Sequence, residues 1–250
     1  YAEAEEHLKR ALEIKPDFFQ AVGHLGTLEI GRGNPAAAAD WFRRAAEMAE
    51  TWKDKHNFAG AAVTALLDAG RPEEALELLD KAAAEVPELS AREAFVFRFH
   101  LGRSRAIVLA LGGKPSEAEA ELEKLPPFPG DLEAKDREYL EKSLAGPRAA
   151  IAGAKGDLAA AVALLRTLLA DEKERAAGDF GYYPATFRLR ARLADALVTL
   201  GRPDEAREEL RPVLSVNPRF APALAVLTRI DGPAESHERV GEPGAESERR

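Results

Sequence analysis

Gly70-Arg71-Pro72-Glu73-Glu74-Ala75-Leu76-Glu77-Leu78-Leu79-Asp80-Lys81-Ala82 contains a complete turn and most of the helix that follows it. Gly70 suits a left-handed cap on the preceding segment, whose apolar positions Val63, Leu66 and Leu67 end just before it. Pro72 falls at a first helical position, where its missing N–H costs nothing, and Glu73-Glu74 favour the positive end of the new helix. Ala75, Leu79, Ala82 and Val86 then recur at steps of 4, 3 and 4, a single apolar stripe.

The same spacing recurs along the chain. Small residues at Ala4, Ala38, Ala75, Ala118, Ala161 and Ala206 are followed four positions later by Leu8, Phe42, Leu79, Leu122, Leu165 and Leu210. Three positions further on come Ala11, Ala45, Ala82, Leu125, Leu168 and Val213. The alanines are 34, 37, 43, 43 and 45 residues apart, the period of stacked helical hairpins rather than of one globular core. A small residue lets the paired helix lie close, and the bulky one a turn later fills the gap. Arg202-Pro203-Asp204-Glu205 repeats the turn grammar, and Asn34-Pro35 is expected to add a capping side chain.

This pattern predicts helices at about 1–15, 18–31, 35–50, 54–70, 72–86, 90–112, 115–125, 131–155, 157–175, 184–201, 203–216 and 219–230. Pro126-Pro127-Phe128-Pro129-Gly130 should be an extended connector, and Gly146-Pro147 should kink or split the helix around it. Residues 178–184, rich in aromatics, read as a loop. The domain spans 1–230, and 231–250 lacks the apolar surface to fold.

Composition narrows the function. A net charge of −8 argues against nucleic acid as the main partner, because phosphate contacts need a basic surface. Without cysteine there is no disulfide framework or thiolate site. No apolar run of about 18 residues is present to span a membrane. Tyr1-Ala2-Glu3-Ala4-Glu5 already reads as the second helix of a hairpin, so the chain is expected to be a piece of something longer, with its targeting information elsewhere.

Catalytic and metal motifs are not found. His7, His24, His56, His100 and His237 are scattered without ligand spacing. Gly112-Gly113-Lys114-Pro115-Ser116 lacks the upstream glycine of a phosphate loop, and proline stands where a hydroxyl is required. Asp179-Phe180-Gly181 has no accompanying kinase elements. Glu117, Glu119, Glu121 and Glu123 alternate around a helix instead of converging. No cofactor is expected, and the chain does not read as an enzyme.

Phe18–Glu50 resembles a tetratricopeptide repeat. Leu25-Gly26 fill its Leu-Gly slot, Gly33-Asn34-Pro35 its turn, and Ala38, Phe42 and Ala45 its second helix. Pro16, Pro87 and Pro218 fall at the closing proline slot of three repeats. Val22 and Glu29 replace the tryptophan and tyrosine, and Arg105 and Arg148 stand where repeats three and four should carry leucine. The resemblance covers about residues 1–230. It implies an all-α, right-handed superhelical solenoid of antiparallel helix pairs, with about five full repeats and partial repeats at both ends.

The resemblance also implies a concave groove lined by the first helices, with Gln20, Thr27, Asn57, Thr64, His100, Arg103, Ser143, Arg188, Ala191 and Asp195 at the lining slots. Some members clamp a terminal carboxylate with paired lysine and asparagine. The matching slots here hold Gly23 with Thr27 and Gly60 with Thr64, so that clamp is absent. Two arginine triads remain: Arg98, Arg103 and Arg105 on one helix, and Arg188, Arg190 and Arg192 on another. Arg188 and Arg192 share a face and could receive an acidic segment; the alternative is that the arginines pair with nearby glutamates. Of Phe95, Phe97 and Phe99, at least one is expected to face outward or into the groove. The function implied is a scaffold holding a protein or peptide in the groove. Two alternatives stand beside it, a regulatory appendage of an enzyme whose catalytic domain precedes residue 1 and a peptide-sensing receptor.

Overall fold

The computed structural model describes residues 2–176 and 183–232, with side chains over 2–170 and 186–232. Its regular elements are all helices: α1 (Ala2–Ile14), α2 (Phe19–Arg32), α3 (Pro35–Met48), α4 (Trp52–Asp68), α5 (Pro72–Ala84), α6 (Ala91–Leu111), α7 (Pro115–Glu123), α8 (Ala134–Ser143), α9 (Ala145–Ala154), α10 (Leu158–Ala176), α11 (Tyr183–Thr199), α12 (Pro203–Val216) and α13 (Ala221–Asp231). Consecutive helices pack on each other, except that α7 packs on α9 rather than α8, and α6 also packs on α9, joining one hairpin to the next. The aromatic loop expected at 178–184 lies outside the described residues except for Tyr183 and Pro184, which open α11. Of the expected tail, Asp231 closes α13 and pairs with Arg207, while 233–250 lie outside the described residues.

One turn is used five times. Gly33, Gly70, Gly113, Gly156 and Gly201 all take φ between 70° and 83°, a region open to glycine at no steric cost. The N–H of the next residue then reaches back to a carbonyl five positions upstream: Asn34 to Glu29, Arg71 to Leu66, Lys114 to Leu109, Asp157 to Ala152 and Arg202 to Leu197. These bonds satisfy carbonyls that a helix end would otherwise leave bare. The capping bond expected of Asn34 is not made; its Nδ2 instead donates to Glu29 Oε2 at 2.8 Å. The reason is backbone geometry. Asn34 sits at ψ 66°, whereas Thr51 and Ser90, at ψ 147° and 157°, do accept from the N–H groups of Asp54 and Glu93.

Packing follows the stripe. Ala38, Ala75, Ala118 and Ala206 have no exposed surface and Ala161 almost none, whereas Ala4 is exposed because α1 packs chiefly on α2. The long helix α6 departs from expectation, since Phe95, Phe97 and Phe99 are all buried. Residues two apart point to nearly opposite sides of a helix, and α6 has partners on both. Phe97 packs on Trp52 of α4, while Phe95 and Phe99 meet Phe128, which the proline-rich connector carries over them. The helix expected at 131–155 starts at Ala134 and is split into α8 and α9 at Leu144. The break precedes Gly146-Pro147, so Pro147 lies in the first turn of α9, where a missing N–H leaves no hydrogen bond unmade.

The stack of hairpins curls until distant turns meet. A Cβ on Gly33 would lie 2.5 Å from the Arg219 carbonyl oxygen, so the α2–α3 turn touches the α12–α13 connection. Asp68, at the end of α4, binds Arg188 of α11 across 120 residues of sequence.

Candidate functional site

The curl forms an open-sided chamber of about 990 Å³. Its apolar walls come from Val63 and Leu67 of α4, Leu101 and Ile107 of α6, Leu189 of α11 and Val226 of α13. Tyr139 and Ser143 of α8 close one side. Among the described lining residues there are five cationic side chains, Arg103, Lys142, Arg188, Arg192 and Arg229, and two carboxylates, Asp68 and Asp195. The described part of the lining thus carries more cations than carboxylates, in a chain of net charge −8.

Of the residues expected to line a groove, Thr64, His100, Arg103, Ser143, Arg188, Ala191, Arg192 and Asp195 are brought to this chamber. Gln20, Thr27 and Asn57 are not; all three are exposed, with Gln20 and Thr27 on α2, which contributes nothing to the lining. The arginine triads also divide. Arg105 pairs with Asp80 and Glu121, and Arg190 pairs with Glu209 at 2.5 Å, away from the lining. Arg98 is exposed and lies off the chamber. The missing clamp has a packing cause at one slot, because a side chain at Gly23 would collide with Phe58. His56, Asp68, Ser104, Lys142 and Arg229 line the chamber without having been expected there. A signal for two of them was present: His56, Gly60, Thr64 and Asp68 are four apart, one face of α4.

The two carboxylates are already engaged. Arg188 Nε donates to Asp68 Oδ1 and Oδ2 at 3.0 and 2.8 Å, with Nη2 at 2.6 Å from Oδ2. Burial nevertheless raises the Asp68 pKa above its ordinary value, against the pull of Arg188. Asp195 pairs with Arg229 at the rim, and Arg229 also donates to Thr199 Oγ1 at 3.1 Å. Arg192, between them on α11, makes no hydrogen bond or ion pair among the described residues. Burial alone lowers its pKa to about 10, which leaves it a cation at neutral pH.

Two histidines sit on another side of the chamber. His56 stacks on Trp52 with ring centroids 5.5 Å apart, and its Nδ1 is buried without a hydrogen-bond partner. Burial lowers its pKa; the same cause, then Arg103, then His56, lowers that of His100. The unfolded chain therefore takes up protons before the folded chain does as pH falls through about 6.5. Stability is expected to decline from there until the lowered folded values are passed. Urea midpoints at pH 7.5 and 5.0 should show a smaller difference in the His56→Leu/His100→Gln variant than in the parent.

Among the described residues no group of three or more His, Asp or Glu side chains is placed to hold a metal ion, and no helix is long and apolar enough to cross a membrane. No curated protein matches the chain. Three family models, each described as a tetratricopeptide repeat, match residues 1–54, 58–81 and 154–230, more than half of the sequence together. Repeats of this family generally mediate protein–protein contacts and scaffolding and are typically non-catalytic. With the glycine turns, the alanine stripe and the stacked hairpins already in place, these matches establish that the chain belongs to the tetratricopeptide repeat family.

Proposed function

We propose that the protein is a binding module that takes a short peptide segment of a partner into the concave chamber. The observation that carries this reading is the chamber itself, whose apolar walls and charged side chains are contributed mainly by α4, α6, α8, α11 and α13. Its volume lies at the upper end of the range for small-ligand pockets. The contacts of Asp68 with Arg188 and of Gly33 with Arg219 restrict the space, which favours a short segment over a folded domain.

Selection of random twelve-residue peptides on the intact chain tests the reading. Ser104 is half-buried and lines the chamber, so Ser104→Trp should fill space there. Selected peptides are expected to lose at least tenfold in affinity for this variant while circular dichroism shows the parental helix content. Undiminished binding to the variant would put the binding surface elsewhere.

A further inference from the structure

Among the described residues Arg192 has no partner for its charge. Proteins pair the charges they enclose, because an uncompensated ion loses hydration and gains nothing in exchange. The two lining carboxylates in the described part are engaged elsewhere, Asp68 with Arg188 and Asp195 with Arg229. Part of the Arg192 surface still faces the chamber, since the residue is half-buried. A guanidinium in such a place is a planar two-pronged donor with a bidentate fit to a carboxylate.

We infer that the chamber binds a short, otherwise apolar peptide through one carboxylate, which sits on the Arg192 guanidinium while its apolar side chains lie against the walls from α4, α6 and α13. This rests on the reading of the chamber as a peptide site. The net charge of −8 does not oppose it, because exposed carboxylates beyond a Debye length of about 8 Å are screened at physiological salt. The local surroundings of Arg192 decide, and no described carboxylate pairs with it. The source proposed is a chain end, which brings only one strand of chain into a space already narrowed by the Asp68–Arg188 pair.

Titration calorimetry on the intact chain uses four defined probes: the peptide Ala-Val-Leu-Ala-Val-Leu with a free C-terminus, its C-terminal amide, the amide with its last leucine replaced by glutamate, and octanoate. A carboxylate peptide is expected to bind about tenfold to a hundredfold more tightly than the amide, with the advantage shrinking as salt is raised. Preference for the free terminus or for the glutamate identifies the carboxylate's source. Arg192→Met should abolish the preference and, by removing an unpaired enclosed charge, raise Tm by about 2–4 °C. Arg192→Lys should keep part of the preference.

Equal binding of acid and amide peptides overturns the carboxylate anchor while leaving the peptide site standing, provided Ser104→Trp still blocks both. Octanoate binding without peptide binding overturns the peptide ligand. Absence of binding by every probe at millimolar concentration overturns both. A lowered Tm in Arg192→Met, with the preference intact, assigns Arg192 to the fold and overturns its role as anchor.

Discussion

Ala75→Arg is expected to destabilise the protein by about 3 kcal/mol or more, lowering Tm by about 6–12 °C. Ala75 has no exposed surface and sits among Ala38, Phe42, Ala62, Leu66 and Leu79, where α3, α4 and α5 meet. Overpacking of such a site costs about 1–3 kcal/mol before charge is considered. The guanidinium must then either lose its water or push α5 off α4 to regain it. Glu77→Arg, two residues on and exposed, is the control, because it introduces the same side chain without entering the interface. Its melt should stay within a degree or two of the parent. An Ala75→Arg melt equally close to the parent would show that this alanine does not set the spacing of the hairpins.

The alanine positions were legible because they are local. A glycine turn, a proline at the first helical position and a stripe within thirteen residues are all written in consecutive sequence, and the five turns with φ of 70–83° repeat that text in three dimensions. The chamber was only half legible. Thr64, His100 and Arg188 could be placed by slot, but slots say nothing about how far the stack bends. Bending depends on small rotations between successive hairpins, which add up over the whole chain. Hence the meeting of Gly33 with Arg219, and the pairing of Asp68 with Arg188, had no local signature. The arginine triads were legible by helix face: Arg188 and Arg192, four apart, both reach the chamber, while Arg190 between them is turned away to Glu209. The expectation that one of Phe95, Phe97 and Phe99 would face outward or into the groove fails because α6 is covered on both sides, Phe97 lying against Trp52 of α4.

Asp68→Ala should cost about 2–3 kcal/mol and loosen the curl. Removing one partner of a buried ion pair typically costs about 3–5 kcal/mol; here Asp68 is 7% exposed but Arg188 keeps 21%, so water offsets part of the loss. The expected signs are a lower Tm and a larger radius of gyration by small-angle scattering, because α4 and α11 lose their tie. The double variant Asp68→Leu/Arg188→Leu should behave differently. Burial raises the Asp68 pKa even with Arg188 beside it, so desolvation outweighs attraction for this carboxylate. A pair of that kind is worth little against an apolar replacement of similar volume, whereas removing Asp68 alone takes from Arg188 its contact on α4. The double variant is therefore expected to recover most of the lost stability. If it melts as low as Asp68→Ala, the attraction outweighs the desolvation after all. If neither variant changes Tm or the radius of gyration, the curl is held by apolar packing and the turn at Gly33, and the long-range pair is an ornament on a solenoid whose repeats stand by nearest-neighbour contacts alone.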